Sequence, residues 1–146
     1  MENCCGSGLS WKSGISNILN KSSMPSYRIL FNIYQLLQGG AETQLVLLAK
    51  GLAEKGVEVH VVTLYSGGPL WNALESVPHV TLHSLNRSSK FDFSVVRELA
   101  NYIRDHKIDL VHGWTPPGNT FCAMAGWMTG VPSMMALRST ASVGFR

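Results

Sequence analysis

Two adjacent glycines, Gly39 and Gly40, lie between an apolar segment and the start of a helical pattern. Glycine lets the backbone approach a bound group closely, and the first turn of a helix offers free N–H donors and a positive dipole. An anionic ligand such as a phosphate is therefore favoured at this turn. The sequence contains neither the G-x-G-x-x-G dinucleotide motif nor a P-loop. A tight turn that binds nothing explains the same glycines, and both interpretations remain open.

His112 ends an apolar segment and is followed by Gly113 and Trp114. An imidazole at a strand end can hydrogen-bond a sugar or a phosphate, or transfer a proton near neutral pH. A histidine held by a neighbouring loop is the simpler alternative. The other histidines lie within predicted strands, on a predicted helix or just before a strand, and we assign them no role.

Three further side chains follow predicted strands and are candidates for a cleft: Trp114, Asn119 and Arg138. An indole can stack on a sugar ring, but it packs equally well in a core. Asn119 is placed to cap a helix after a loop at Pro116 and Pro117. Arg138 suits bidentate capture of a carboxylate or phosphate, whereas a surface charge or ion pair is the alternative.

Composition and charge exclude several classes of protein. The chain has 146 residues, of which 45% are hydrophobic and only 14% charged, so it can bury a core. The net charge is +3, but eight basic residues balance eight acidic ones between Met24 and Leu137. We therefore predict no basic face for nucleic acid. No segment offers the roughly 20 continuous apolar residues of a membrane-spanning helix.

Other kinds of catalytic site are not apparent in the sequence. There is no nucleophile–base pair, no carboxylate pair at an informative spacing and no metal-ligand cluster. The three cysteines, two of them adjacent, form neither a metal motif nor an even disulfide framework. They favour a reducing, intracellular environment.

Strands and helices alternate along the chain and must position the candidate residues. The strands are near-continuous apolar runs, which is typical of a parallel sheet covered on both faces. The pattern predicts an α/β fold with a Rossmann-like doubly wound parallel sheet, whose ligands bind at the C-terminal ends of the strands. Residues 1–26 are expected to be a disordered leader, and 27–146 a single domain. The predicted strands are 27–34, 57–64, 80–85, 108–112 and 132–137, and the predicted helices are 41–55, 70–76, 94–106 and 119–128.

A series of short segments resembles the opening of glycosyltransferase family 4. In order, they are GGAE at 39–42, LAKGL at 48–52, KGVEV at 55–59, VTL at 62–64, IDLVH at 108–112 and GVP at 130–132. Each is short, but their order and spacing are specific. The resemblance implies the N-terminal, acceptor-side half of a GT-B fold, truncated before its end.

By this resemblance, Gly39 and Gly40 face the diphosphate of a nucleotide-sugar donor. His112 is the catalytic candidate, close to the transferred sugar or the acceptor. Many members carry a second histidine two residues later, where this chain has Trp114.

A subgroup with a tryptophan, a following asparagine and an arginine after the fifth strand is more similar. Trp114, Asn119 and Arg138 match it as acceptor or cleft residues.

The reaction implied by the resemblance is transfer of a sugar from a nucleotide-sugar to a hydroxyl of a glycan or lipid-linked acceptor. It proceeds with retention and without a metal or other cofactor, in the cytoplasm or at the cytoplasmic face of a membrane, where peripheral contact is conceivable. The C-terminal domain that grips the donor is missing from this sequence, so we expect the fragment to be inactive alone. A stand-alone nucleotide- or phosphate-binding module without catalysis is the main alternative, and a regulatory piece that docks on a partner is another.

Overall fold

The computed structural model describes residues 27–86 and 94–137. The expected leader, Arg138 and the polar loop at 87–93 lie outside these residues. Within the described part, a parallel sheet carries helices on both faces. The strands are β1 (Arg28–Ile33), β2 (Glu58–Thr63), β3 (Val80–Ser84), β4 (Leu110–Gly113) and β5 (Ser133–Met135), and the helices are α1 (Gly40–Glu54), α2 (Asn72–Glu75), α3 (Ser94–Asp105) and α4 (Pro116–Thr129).

The strand order is β3-β2-β1-β4-β5, and every pairing is parallel. The chain first moves outward from β1 to β3 and then crosses to the other side of β1, where β4 and β5 follow. The predicted Rossmann-like doubly wound sheet is therefore confirmed. Its order reverses between β1 and β4, and such a switch point opens a crevice at the C-terminal ends of the two strands.

Alternating side chains of β1 divide the core into two layers. Ile29, Phe31 and Ile33 pack with Leu45 and other residues of α1 on one face of the sheet. Leu30 packs with residues of α3 and α4 on the opposite face. Because successive residues of a strand point to opposite faces, one apolar strand supports both layers. Each fully buried side chain of this size contributes about 1.5–3 kcal/mol to folding.

The helix that the sequence predicts from Asn119 begins instead at Pro116. Thr115 is extended (φ −131°, ψ 159°) and precedes the first turn. Proline suits the first helical positions because its φ is already helical and its missing N–H has no intrahelical partner there. Pro116 and Pro117 therefore start the helix rather than form a loop. Asn119 is not an N-cap but a buried residue whose Nδ2 donates to the Ala136 carbonyl at 3.1 Å.

The last strand departs furthest from its expected form. β5 is three residues long instead of six and lies at the end of the strand order. Met134 is 51% exposed and Met135 61% exposed. The expectation of a strand buried on both faces is thus wrong for β5 within the described part of the chain, because it is the edge strand and α4 covers it only in part.

A cluster of aromatic and imidazole rings holds α3 against β2 and β3. Tyr102 of α3 stacks on His106 with ring centroids 3.9 Å apart and on His83 at 4.8 Å. The Tyr102 hydroxyl shares a 3.0 Å hydrogen bond with Nδ1 of His60, which is 7% exposed. Burial lowers the pKa of His60 below its ordinary value of 6.5, and the neighbouring His106 lowers it further. The folded protein therefore favours neutral His60.

We expect this cluster to make the protein less stable in mild acid. The unfolded chain protonates His60 near pH 6.5, whereas the folded chain resists protonation until a lower pH. The contribution of neutral His60 to the free energy of unfolding is therefore fully present above pH 6.5. It is lost as the pH falls from there towards the folded-state pKa. Between pH 7.5 and 5, the free energy of unfolding measured in urea should fall less for His60→Gln than for the wild type. His79→Asn, at an exposed site, should keep the wild-type dependence, and an equal dependence in all three proteins would contradict this prediction.

Candidate functional site

The glycine turn lies where β1 leads into α1. Gly39 precedes the helix in an extended conformation, and its carbonyl accepts hydrogen bonds from the N–H and the hydroxyl of Thr43 at 3.0 and 2.8 Å. Gly40 is exposed, and a Cβ at this position would have no heavy atom within 4 Å. Gly40 is thus open to solvent on the side where a side chain would project.

An open cleft of about 670 Å³ adjoins this turn. Gly39, Gly40, Thr43 and Leu70 contribute to its walls. Leu70 is brought there because its N–H donates to the Leu36 carbonyl at 3.1 Å, which joins the loop after β2 to the loop after β1. The cleft is large enough for a phosphate-bearing ligand, and the N-terminus of α1 supplies the favourable dipole.

The carboxylate of Glu42 lies over Gly39. A Cβ at Gly39 would collide with this carboxylate, which belongs to the first turn of α1. A negative side chain at this position is itself stabilised by the helix dipole. An incoming anion would approach the turn beside Glu42, so the exposed Gly40 side is the more favourable route.

A second, smaller cavity of about 160 Å³ lies on the other side of the start of α1. Ala41, the neighbour of Gly40, belongs to its wall together with Thr115 and Asn119. The loops after β1 and after β4 therefore meet at the switch point of the sheet. This is where the predicted topology places a ligand.

Close packing of two glycines draws the first turn of α4 onto the sheet. A Cβ at Gly113 would lie 2.6 Å from Cα of Asn119, and one at Gly118 would lie 2.7 Å from the carbonyl oxygen of Asn32. These contacts are with backbone atoms, which cannot rotate away as a side chain can. The two glycines thus position Asn119 beside the C-terminal ends of β4 and β5.

Trp114 is buried rather than presented to solvent. It is 1% exposed and lies edge-on to Phe31, with ring centroids 5.7 Å apart. It belongs to the core layer under α1 and also contributes to the wall of the smaller cavity. Stacking of the indole on an exposed sugar ring does not fit this burial.

His112 is half-buried in β4, in register with Phe31 of β1 and Met134 of β5. Its ring lies 5.6 Å from that of Phe31 and 5.0 Å from that of Trp114. These contacts restrict the orientation of the imidazole. His112 lies near the switch point but lines neither the open cleft nor the smaller cavity.

The structure therefore brings together only some of the residues predicted from sequence. Gly39 and Gly40 line one cavity, and Trp114 and Asn119 line the other. Arg138 lies outside the described residues. Thr115 was missed, although a threonine directly before two prolines marks the position preceding a helix.

Other chemistry is limited in the part of the chain that the structure describes. Burial raises the pKa of Cys122 to about 12, so its thiol stays protonated and is a poor nucleophile. Among residues 27–86 and 94–137, no three His, Cys, Asp or Glu side chains are grouped to hold a metal ion. No helix within the same residues has the length and apolar character needed to cross a membrane.

Solved structures with the same fold include glycosyltransferases and a domain of a hydrogenase. A glycosyltransferase from Rickettsia africae superposes with a TM-score of 0.61 and 20% identity over 77% of this chain and 30% of its own. HepE from Anabaena, in complex with UDP and glucose, superposes with a TM-score of 0.57 and 21% identity, over 75% of this chain and 29% of HepE. The C-terminal domain of a hydrogenase from Pyrococcus furiosus superposes with a TM-score of 0.51 and 19% identity, over 78% of this chain and 96% of that domain. At these identities, the likeness shows the fold alone.

The chain spans less than a third of the length of the Rickettsia and Anabaena proteins. No curated protein matches it in sequence. The model of one family, described as Glycosyltransferase Family 4, matches residues 38–141 of the 146. That match begins just before the glycine turn and extends past β5, so it contains both cavities. The resemblance predicted from the short motifs is thereby confirmed, and the chain belongs to Glycosyltransferase Family 4.

Proposed function

We propose that this chain supplies the acceptor-side half of a retaining glycosyltransferase that moves a hexose from a nucleotide-sugar to a hydroxyl of a glycan or lipid-linked acceptor. The observation that carries the proposal is the exposed Gly40 backbone at the N-terminus of α1, which opens onto the cleft. Backbone N–H groups at a helix N-terminus stabilise phosphate oxygens. HepE, which shares the fold, binds UDP and glucose, and this supports a nucleotide-sugar as the donor.

The catalytic demand of such a transfer is the negative charge that develops on the departing diphosphate. N–H donors fixed in place before the reaction stabilise that charge without reorganisation. We assign this task in part to the turn at Gly39 and Gly40, and we propose His112 as the catalytic side chain, close to the transferred sugar or the acceptor. Arg138 remains a candidate for binding an anion. We propose that the reaction uses no metal or other cofactor and that a second domain grips the donor.

We further propose that the enzyme works in the cytoplasm or against the cytoplasmic face of a membrane. The exposed, apolar surface of α4, where Trp127 is 87% exposed, supports contact with a partner domain or a lipid surface. On this proposal the chain is inactive without the rest of the enzyme.

Replacing Gly40 with valine tests the proposed phosphate site. The new side chain enters open space, so we expect folding to be unaffected while the approach of a phosphate is blocked. Loss of hydrogen bonds to a charged group, each worth about 1.5–3 kcal/mol, should weaken nucleotide-sugar binding roughly tenfold to a hundredfold. Isothermal titration of the full-length protein with UDP-glucose and other nucleotide-sugars measures the effect.

Gly51→Val is the matched control, because Gly51 lies in the middle of the same helix and its Cβ position is equally open. It should bind nucleotide-sugars as the wild type does. If Gly40→Val also binds normally, the turn has only a structural role. Binding without transfer to any hydroxyl acceptor would favour the non-catalytic module instead. The anomeric configuration of the product, read by NMR, tests retention.

A further inference from the structure

The segment 34–39, which leads from β1 to the glycine turn, is anchored in the core at a single residue. Leu36 is fully buried in the layer under α1, whereas Tyr34 and Leu37 on either side of it are exposed. A loop with few buried apolar contacts opens easily unless other bonds hold its backbone. The position of the glycine turn therefore depends on what holds Leu36.

The loop after β2, at 65–70, is bonded to this segment at two points. The N–H of Leu70 donates to the Leu36 carbonyl at 3.1 Å. Nε2 of Gln35 donates to the Ser66 carbonyl, also at 3.1 Å. One bond joins the two backbones and the other crosses from a side chain, so the loop after β2 braces the segment from one side.

Gly68 lies where the two loops approach most closely. Its φ is +123°, a backbone conformation that favours glycine, and a Cβ there would lie 2.7 Å from the carbonyl carbon of Leu36. Backbone atoms cannot rotate away as a side chain can, and the buried side chain of Leu36 keeps that residue from retreating. Any larger residue at Gly68 must therefore push the two loops apart and strain the hydrogen bond from Leu70.

Gly67, the preceding residue, has a different environment. Its φ of +73° also favours glycine, but a Cβ there would have no heavy atom within 4 Å. Gly67 thus serves the turn of its own loop, whereas Gly68 permits the contact of that loop with Leu36. The two adjacent glycines separate backbone conformation from close packing.

We propose that Gly68 is a positioning residue: its close approach to Leu36 sets the position of the glycine turn, and thereby the affinity of that turn for the phosphates of a ligand. This inference rests on the proposed function, in which Gly39 and Gly40 bind the diphosphate of the donor. Gly68 does not line the open cleft, but Leu70, two residues later, does. A phosphate at the N-terminus of α1 thus depends on a residue that it does not touch.

Gly68→Ala in the full-length protein tests this assignment. Its methyl group should displace the loop and weaken binding of UDP-glucose and inorganic phosphate about tenfold, as for loss of one hydrogen bond to a charged group. Without ligand, it should also shift the backbone NMR signals of Gly39 and Gly40. Gly67→Ala is the matched control, because its methyl group enters open space, and it should keep the wild-type affinity and the wild-type signals of both glycines.

Gln35→Met provides a second variant, which decides the matter if Gly68→Ala does not fold. It keeps the length of the side chain but removes an exposed hydrogen bond to Ser66, so we expect it to fold. It should shift the Gly40 signal and weaken UDP-glucose binding about twofold or more, as for loss of one neutral hydrogen bond. In a Gly40→Val background, Gly68→Ala should weaken binding no further, since the turn through which it acts is already blocked.

The contrary results separate this inference from the proposed function. If UDP-glucose binds the wild type and Gly68→Ala equally well, the positioning role is wrong and the proposed donor site stands. A lower melting temperature of Gly68→Ala, with unchanged affinity of the folded protein, would likewise show a structural role alone. If Gly67→Ala weakens binding as much as Gly68→Ala does, the contact with Leu36 is not the cause. If the wild type binds neither UDP-glucose nor phosphate, the donor site and this inference both fail.

Discussion

Replacing Trp114 with alanine should lower the free energy of unfolding by about 3–5 kcal/mol. The indole is 1% exposed and fills the layer between the sheet and α1, in contact with Phe31 and His112. Truncation leaves a cavity that the backbone of β4 cannot close, because its neighbour β1 holds β4 in register. Urea unfolding followed by circular dichroism measures the loss.

Trp127 provides the control for this substitution. It lies on α4 and is 87% exposed, so Trp127→Ala should change the unfolding free energy by no more than about 0.5 kcal/mol. The contrast between two tryptophans of one chain separates burial from residue type. A Trp114→Ala protein as stable as the wild type, but unable to bind sugar, would instead place the indole in a ligand site.

Replacing His112 with asparagine should lower kcat for sugar transfer by the full-length enzyme about a hundredfold or more, which is the usual contribution of a positioned acid–base group. The ring is half-buried at the end of β4 and is restricted by Phe31 and Trp114, so it is oriented before substrate arrives. Asparagine keeps a polar side chain but cannot take up a proton near neutral pH. The initial rate at saturating donor and acceptor is the measurement.

Two comparisons decide whether His112 acts in catalysis or in packing. His79→Asn should transfer sugar at the wild-type rate, because His79 is exposed before β3 and its positive φ of 64° suits asparagine. The melting temperature of His112→Asn should stay close to that of the wild type. If that temperature falls steeply and kcat falls only as much as the folded fraction of the protein, the imidazole supports the core and the catalytic assignment is wrong.

The alternation of apolar strands with amphipathic helices was sufficient to predict the sheet. A strand buried on both faces must be apolar along its whole length, and this local property is visible at β1 and β2 without any knowledge of their partners. The glycine turn was also predictable, since Gly39 and Gly40 stand between a strand and a helix. The order and spacing of the short motifs along the chain indicated the family.

The helix boundary at Thr115 was harder to predict, because prolines start helices as well as interrupt them. Placing the start at Asn119 assigned this residue a capping role. Thr115, which precedes the first turn in the structure, was therefore not identified from sequence. Tertiary packing resolves the ambiguity, since Gly113 and Gly118 allow the first turn of α4 to lie against the sheet. A residue more bulky than glycine at either position would hold that turn away.

The sequence by itself determined the fold class, the family and the turn at Gly39 and Gly40, because these follow from local patterns and from the order of those patterns along the chain. Only the tertiary structure decided that Trp114 is buried and Trp127 exposed, since burial depends on what other segments cover. It also decided that Ala41 and Thr115, which are far apart in sequence, line one cavity. The reversal of strand order between β1 and β4 causes this meeting, and it arises from long-range pairing that local patterns do not encode.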